Sequence, residues 1–307
     1  MECVLLGSGG MMPMSYRFLV SMALRYDGRT FLFDCGEGTQ IPLKAMKLGI
    51  KPIKDIFISH LHADHVTGLP GMLMMLNQAE PDETITVYGP EGIHAYIHAM
   101  QKTLSFDRRY PLKVEELHGE AGVAYEDGNV RVFYRELNHR VRCLGYAVLE
   151  RDLPGRFNID KARELGVPEG PMWGQLQRGE TVTLDDGRTV SPGDVLGDAR
   201  PGRKVAYATD TRPCEGVTDL AMDADLVFVE GMFAHELVED ANLKGHQTVV
   251  QAAEQMKAAG ARRAVMVHFS PRYHNDDIAL LEAEAQAVYP AMEAGRDGRR
   301  YVLKVKG

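Results

Sequence analysis

Four side chains that commonly bind metal ions fall within six residues of one another. The stretch 60–65 reads His-Leu-His-Ala-Asp-His and supplies His60, His62, Asp64 and His65. Imidazole and carboxylate ligands without a thiolate suit zinc, manganese or iron. His60 and His62 are two residues apart and can point to one side of an extended or turning segment, whereas the other two follow as the chain enters a helix. This spacing predicts two metal ions rather than one.

The elements on either side place this cluster at a strand end. The apolar run 55–58 predicts a buried strand of the parallel type, and an apolar segment that starts at Met72 predicts a helix. Sites in α/β proteins are built at the carboxyl ends of such strands. Surface histidines of an acidic protein are the alternative, but four metal-capable residues at one strand end argue against it.

Other acidic and histidine residues also follow short apolar strands. Those that directly or closely follow a predicted strand include Asp210, Glu230 and His268. Because strand ends at one edge of a sheet bring such residues together, we expect them to join the cluster. Asp34 and His139 occupy similar positions, but each taken alone is equally well explained as a structural residue. Two metal ions about 3.5–4 Å apart are a general device for phosphoester hydrolysis.

Composition bounds the class of protein. The 307 residues suffice for a large α/β domain, and the net charge of −8 argues against nonspecific nucleic-acid binding by the whole surface. The net charge does not exclude a local basic patch. The four cysteines are scattered without a Cys-x-x-Cys pair, which predicts reduced thiols in a cytoplasmic protein. We expect no signal peptide, because no basic region precedes an apolar segment at the N-terminus, and no membrane span, because no apolar run approaches about 18 residues.

The segment 151–203 differs from the rest of the chain. Glycine and proline punctuate it, and it is too long for a connection within a core. Only one short helix is predicted, at 159–165, although residues 172–173 and 182–184 could pack or pair. Strand–helix alternation resumes afterwards. We therefore predict a single domain over residues 1–307 that carries an inserted, flexible arm at 151–203.

Several strings of the sequence resemble a known family. The string at 60–65 is similar to the His-x-His-x-Asp-His signature of the metallo-β-lactamase superfamily, which many hydrolases share. More specific strings resemble ribonuclease Z, the endonuclease that removes 3′ trailers from precursor tRNAs. They lie at 33–40, 58–71, 87–90, 145–146, 177–180, 210–212 and 268–273, and in the arm at 152–155 and 170–173. The resemblance covers nearly the whole chain.

The resemblance implies a fold and a metal centre. The fold would be α/β, the four-layer αββα sandwich of the metallo-β-lactamase superfamily with an inserted arm. Two zinc ions per chain are implied, with manganese as an alternative. One ion would be held by His60, His62 and His139, the other by Asp64, His65 and His268, with Asp210 as the bridge.

The resemblance also implies roles in cleavage and binding. Asp64 would handle the proton of the attacking water, and His246, held by Glu230, would be the general acid toward the leaving 3′ oxygen. The tRNA would keep a 3′-hydroxyl. Asp34 would orient a ligand histidine. Contacts with the RNA are expected from Arg17, Arg156 and Arg272. The family's arm clasps the tRNA elbow, usually from one subunit of a homodimer toward the active site of the other.

Two strings depart from the family pattern. The common His-Glu-Ala-Thr-Phe is here Val-Glu-Gly-Met-Phe at 229–233, which keeps the glutamate. The loop that often reads Pro-x-Lys-x-Arg-Asn is here 13–18, which keeps Arg17 but lacks the lysine and the asparagine. These losses weaken the case for phosphate contacts at this loop. They bear on substrate detail more than on the chemistry.

Three other functions share features with this sequence. A small-molecule phosphodiesterase or lactonase on the same scaffold would need no distant clasp, so the arm argues against it. A flavodiiron oxidoreductase usually carries His-x-Glu-x-Asp-His, and His62 in place of the glutamate favours zinc. A non-catalytic RNA-binding relative would be expected to lose metal ligands, and every ligand position is retained.

Overall fold

The computed structural model describes residues 1–79, 83–105 and 107–305. They form two compact units, Met1–Leu149 with Lys204–Lys304, and Glu150–Arg203. The strands are β1 (Glu2–Gly7), β2 (Ser21–Tyr26), β3 (Arg29–Phe33), β4 (Ile53–Phe57), β5 (Ile85–Gly89), β6 (Leu112–Glu116), β7 (Ala121–Glu126), β8 (Val130–Leu137), β9 (Cys143–Glu150), β10 (Val182–Thr183), β11 (Thr189–Val190), β12 (Lys204–Ala208), β13 (Leu226–Glu230), β14 (Ala264–Val267), β15 (Met292–Ala294) and β16 (Arg300–Val302).

Helices connect many of these strands. They are α1 (Gln40–Ala45), α2 (Ala63–Val66), α3 (Leu69–Gln78), α4 (Ile93–Thr103), α5 (Ile159–Glu164), α6 (Pro171–Gln177), α7 (Pro192–Val195), α8 (Glu215–Ala221), α9 (Val238–Lys244), α10 (Val249–Ala258) and α11 (Asn275–Val288). A 3₁₀ turn, His235–Leu237, precedes α9. Within the described ranges, no helix has both the length and the apolar character that crossing a membrane requires.

The larger unit contains two seven-stranded sheets. The first has the order β16-β1-β2-β3-β4-β5-β6, and the second has the order β15-β14-β13-β12-β9-β8-β7. Strands β3 to β6 run parallel to one another, as do β12 to β15. The carboxyl ends of the parallel strands therefore lie along one edge of each sheet, where sequence analysis expects the site.

Apolar side chains arrange these sheets in four layers. Aromatic residues of both sheets, such as Phe57 and Tyr207, form a buried cluster between them. The outer face of the first sheet is covered by α1, α3 and α4, with Leu73 among the buried contacts. Helices α8, α10 and α11 cover the outer face of the second sheet through residues such as Leu281. The predicted αββα layering is confirmed.

The strands of the two large sheets that the sequence did not predict all lie at sheet edges. No strand was predicted for β6, β7 or β15, and each of them is the edge strand of a sheet. Edge strands bury less apolar surface and often carry charge, so they lack the apolar run that marks an inner strand. Strands β6 and β7 show this, because all their residues are partly buried or exposed. The strand predicted from Phe18 begins at Ser21, because the Phe18 amide donates to Asp297 Oδ2 at 2.6 Å.

The smaller unit, Glu150–Arg203, has a core of its own. Three helices, α5 to α7, and the β10–β11 hairpin surround a buried apolar cluster. The expectation of a single helix was wrong, because α6 and α7 also form. Both are short, and each begins at a proline. The surrounding glycines hide these prolines as signals of a helix start. Bridges between Leu153 and Arg200 and between Phe157 and Leu196 join the two ends of the unit.

A buried carboxylate on β4 predicts a pH-dependent cost to stability. Asp55 is 5% exposed, and burial raises its pKa from 3.8 to about 6, although Arg29 and the Tyr88 hydroxyl oppose the rise. The folded protein then holds more protons than the unfolded chain between these values, so stability falls as pH rises through this window. At pH 7.5 the ionised carboxylate costs roughly 3 kcal/mol.

We therefore expect Asp55→Asn to raise the free energy of unfolding by up to about 3 kcal/mol at pH 7.5, and to change it little below about pH 4. Denaturant titrations of wild type and variant at both pH values check this. A variant that is less stable than wild type at pH 7.5 would mean that attraction to Arg29 outweighs the cost of burial.

Candidate active site

The predicted metal ligands, together with Asp34, Glu230 and His246, meet at the strand ends. The stretch 60–65 follows β4, and its last residues form α2. The other contributors are Asp34 after β3, His139 after β8, Asp210 after β12, Glu230 at the end of β13, His246 before α10 and His268 after β14. The predicted metal ligands come from four strand ends that are distant in sequence.

Three of these residues hold an unusual backbone conformation. Asp34, Asp210 and His268 have φ angles of 55°, 52° and 62°, in the left-handed region that residues other than glycine rarely occupy. Each of them lies one or two residues after a strand. Such strain persists only where surrounding contacts hold it, and it concentrates at functional sites. The strained turns direct these side chains across the sheet edge.

One group of ligand-capable atoms consists of three histidines and an aspartate, His60, His62, His139 and Asp210, and we call it the first ligand group. His139 Nε2 lies 3.3 Å from His62 Nδ1. Asp210 Oδ2 lies 3.7 Å from His60 Nε2 and 3.9 Å from His139 Nε2. The Nδ1 of His139 contacts the carbonyl oxygen of Gly245 at 2.7 Å, which orients the ring.

The second ligand group consists of Asp64, His65 and His268. His268 Nε2 lies 3.3 Å from both Asp64 Oδ2 and His65 Nε2. The other oxygen of Asp210, Oδ1, lies 3.1 Å from His65 Nε2 and 3.2 Å from His268 Nε2. The two oxygens of Asp210 thus face different groups, as a bridging carboxylate requires.

A buried network behind the ligands includes two residues that sequence analysis missed. Asp34 accepts hydrogen bonds from the hydroxyls of Ser59 and Tyr207 at 2.8 and 2.9 Å, and its Oδ2 lies 2.8 Å from His65 Nδ1. Ser59 Oγ also lies 3.0 Å from His60 Nδ1. With its proton given to Asp34, Ser59 can accept from His60 and leave Nε2 as the metal-binding nitrogen. Ser59 directly precedes the histidine stretch, whereas nothing in the sequence marks Tyr207.

Glu230 holds the histidine predicted to be the general acid. Its Oε1 lies 2.5 Å from His246 Nδ1 and 3.3 Å from His268 Nδ1. Its Oε2 accepts from the amides of Thr211 and Gln247 at 3.0 and 3.2 Å. Glu230 is fully buried, whereas the His246 side chain is 12% exposed. The ring is therefore fixed through Nδ1, which leaves Nε2 for another partner.

The histidines fall into two electrostatic classes. Burial lowers the pKa of the three histidines of the first group, so they are neutral and their lone pairs are available. Burial alone would also lower the pKa of His65 and His268, but Asp210 outweighs it and raises both, that of His268 to about 10. Burial likewise opposes ionisation of Asp210 and Glu230, yet the adjacent histidines hold both pKa values below their usual ranges.

The site fits a metal cofactor. His60 Nε2 is buried and has no hydrogen-bond partner among the described residues, although it points toward Asp210. An orphaned buried nitrogen is costly unless a ligand satisfies it. A Cβ at Gly10 would lie 2.5 Å from His268 Nε2, so only glycine allows the loop to pass this close. Imidazole and carboxylate donors without thiolate match the predicted class of metal.

The three arginines expected to contact RNA lie in different settings. Arg272 is exposed, with its guanidinium 5.0 Å from the Phe233 ring, which lies 6.2 Å from the His246 ring. Arg156 is exposed on the smaller unit. Arg17 is only 4% exposed and lines a cavity that none of the predicted metal ligands borders.

Known proteins match this chain at the level of fold. A family model for the beta-lactamase superfamily domain matches residues 175–269, and a model for the anti-Pycsar protein Apyc1 matches residues 1–117. The crystal structure of human tRNase Z, short form, superposes with a TM-score of 0.74 at 24% identity, covering 99% of this chain and 100% of that one. A diphosphatase from the PhnP family gives a TM-score of 0.62 at 16% identity, with 99% and 98% covered. The predicted metallo-β-lactamase fold is confirmed.

Sequence relatives match at much higher identity over the full length. The ribonuclease Z of Treponema denticola is 42% identical over 299 residues, which cover 97% of this chain and 96% of the relative. The ribonuclease Z of a Nostoc species is 40% identical over 306 residues, with 98% and 94% covered. These matches confirm the family resemblance that the motifs indicated. The chain belongs to the ribonuclease Z family.

Proposed function

We propose that this protein is a metal-dependent endoribonuclease that removes 3′ trailers from precursor tRNA and leaves a 3′-hydroxyl on the tRNA. The observation that carries the proposal is the complete site, two ligand groups joined by Asp210 with the His246–Glu230 pair beside them. Membership of the ribonuclease Z family supports the choice of substrate. The fold alone does not decide it, since a PhnP-family diphosphatase shares the fold.

We assign two zinc ions, or manganese in their place, to the two ligand groups. Bound there, such ions supply a nucleophilic water near neutral pH and positive charge for the reacting phosphate. The first ligand group provides three nitrogen donors, the second provides two with the Asp64 carboxylate, and Asp210 provides one oxygen to each group. No cysteine takes part.

The residues of the chain divide the proton transfers between them. Asp64 Oδ2 accepts from the Met11 amide at 2.6 Å, which fixes the carboxylate while its other oxygen can take a proton from the attacking water. His246 donates a proton from Nε2 to the leaving 3′ oxygen, because Nδ1 is held by Glu230. The buried Glu230 carboxylate fixes the ring so that Nε2 is the nitrogen left for this transfer.

We further propose that residues 151–203 bind the precursor tRNA away from the cut, from one subunit of a homodimer to the other, in the cytoplasm. The four cysteines are free, and three of them are buried, which suits a reducing compartment. The native mass in solution tests the dimer. Arg156 is the exposed cation of this unit that we assign to phosphate contact.

Replacing residues 156–198 by a short Gly/Ser linker tests the role of the arm. The cut removes the whole buried cluster of the smaller unit and keeps the Leu153–Arg200 bridge that joins the ends. We expect a small phosphodiester to be hydrolysed at the wild-type rate. Precursor-tRNA cleavage should fall by orders of magnitude in kcat/KM, since remote binding energy is lost.

Two outcomes would revise this role. Equal loss on both substrates would make the unit structural. No loss on precursor tRNA would remove the arm as a reason to prefer a tRNA nuclease over a general phosphodiesterase. Arg156→Ala and its matched control Arg178→Ala, an arginine of the same unit that is engaged by Glu180, separate one phosphate contact from the whole unit.

A further inference from the structure

A cavity of about 570 Å³ lies in the larger unit, apart from the metal ligands. Its lining includes Ser8, Tyr16, Arg17, Asn275, Arg296 and Asp297. The volume falls within the range of small-molecule sites, which is roughly 300–1,000 Å³. The proposed mechanism uses none of this space.

Arg17 is a buried cation that Asp297 attracts but does not contact as an ion pair. Its Nη2 donates to Asn275 Oδ1 at 3.3 Å, but Nη1 is buried and has no hydrogen-bond partner in the described part of the chain. No ion pair joins Arg17 to any described carboxylate within 4.0 Å. Its guanidinium lies 5.6 Å from the Phe269 ring and 5.7 Å from the Tyr16 ring. An arginine stays protonated in proteins, so the buried Nη1 still lacks an acceptor, which a phosphate oxygen would supply.

Neighbouring groups add to the attraction for an anion. Arg296 lines the same cavity. Asn275, the first residue of α11, also lines it, but Asp276 and Asp277 in the first turn offset the positive end of the helix dipole. The Tyr16 hydroxyl is also buried without a partner among the described residues. These groups offer hydrogen bonds of the kind that a phosphate accepts.

Two carboxylates oppose them. Asp297 borders the cavity, but its oxygens accept from Ser8 Oγ at 2.7 Å and from the Phe18 amide at 2.6 Å, so it is already engaged. Asp276 is exposed in the first turn of α11. The cavity therefore holds two arginines and two carboxylates, and its unsatisfied donors are Arg17 Nη1 and the Tyr16 hydroxyl.

The cavity lies close to the reacting centre. The Phe269 ring that contacts Arg17 belongs to the residue that follows His268. A Cβ at Gly9 would lie 3.1 Å from Arg17 Cδ, and the adjacent Gly10 packs against His268. One loop of two glycines thus separates the cavity from a predicted metal ligand.

We propose that this cavity binds the terminal phosphate monoester of a nucleotide. The identification of its source rests on the proposed function. Attack of water on the scissile phosphorus breaks the bond to the 3′ oxygen, which takes a proton, and the phosphate stays on the trailer as a 5′-monoester. The ligand is then the 5′ end of the released trailer, or a free nucleoside monophosphate of the same chemistry.

Direct binding tests the proposal without turnover. A short RNA with a 5′-phosphate, the same RNA with a 5′-hydroxyl, and AMP are titrated into the whole protein by calorimetry, with and without chelator. We expect the 5′-phosphate to tighten binding by about tenfold or more, and the gain to persist after chelation. If AMP binds as tightly as the 5′-phosphorylated RNA, the site is one for free nucleotides. If AMP binds much more weakly than this RNA, the site is one for the trailer.

Variants locate the binding. Arg296→Ala and Arg17→Gln should each remove the preference for the 5′-phosphate, while the control Arg25→Ala, an exposed arginine paired with Glu2 outside the cavity, should keep it. Arg296 is exposed, so its variant stays informative even where Arg17→Gln fails to fold. A preference that vanishes with chelator and ignores both arginines would place the phosphate on the metals and overturn the proposal. If the protein does not cleave precursor tRNA, the proposed function fails, but the result expected from these titrations does not change.

Discussion

Replacing His246 by alanine is expected to slow precursor-tRNA cleavage by about 10²–10⁴-fold, the usual contribution of general acid catalysis. Its Nδ1 is held by Glu230 at 2.5 Å, and its side chain is 12% exposed, so Nε2 can reach a substrate. The metal content should remain that of wild type, because the proposed ligands are other residues. Single-turnover cleavage and metal analysis of the same preparation measure both.

A change of leaving group sharpens this prediction. An aryl phosphodiester with an acidic phenol needs little protonation of its leaving oxygen, so the same variant should lose far less activity on it. The control variant His94→Ala, at an exposed position of α4, should behave as wild type on both substrates. A His246→Ala protein that loses metal and keeps its activity per metal would make His246 a ligand instead.

His246 could instead have been the cap of the helix that follows it, but the structure gives that role to another residue. Helix α10 begins at Val249, and its cap is Thr248, whose hydroxyl accepts from the Gln251 amide at 3.3 Å. A loss of about 1 kcal/mol in stability, the usual effect of losing a cap, is therefore expected from Thr248→Ala. His246→Ala should affect the rate instead.

Removing the shared carboxylate should affect both metal positions at once. Asp210 turns one oxygen to His60 at 3.7 Å and the other to His65 at 3.1 Å, so Asp210→Ala takes a donor from each ligand group. We expect metal content after dialysis to fall from about two ions per chain to well below one, and cleavage to fall below detection. Elemental analysis by mass spectrometry measures the content.

The exposed Asp240, on α9, provides the matched control, and Asp240→Ala should retain the metal. Wild-type protein that saturates at one ion per chain would contradict the two-metal centre. An Asp210→Ala protein that keeps both ions would show that the carboxylate does not bridge them.

The sequence is most informative where ligands are contiguous. His60 to His65 lie on one strand end and the short helix that follows, so their spacing alone indicates a metal site. His139 is different, because its ring is oriented by the carbonyl oxygen of Gly245, a residue 106 positions away. No local pattern reports a contact of that kind.

The network behind the ligands shows the same limit. Tyr207 donates to Asp34 across 173 positions, and in the sequence it is an ordinary aromatic residue within an apolar strand. The core of the smaller unit was also underestimated, since Leu176 and Val190 are buried although glycine and proline surround their elements. Such packing depends on how short elements meet rather than on the periodicity of any one of them.

Cleavage of a precursor tRNA that carries a 3′ trailer tests the central claim most directly. The wild-type protein should make one cut and release a tRNA with a 3′-hydroxyl and a trailer with a 5′-phosphate. Chelator should abolish the cut, and added zinc or manganese should restore it. A protein that hydrolyses a small phosphodiester efficiently but leaves the precursor tRNA intact would contradict the proposed function, and so would cleavage that chelator does not affect.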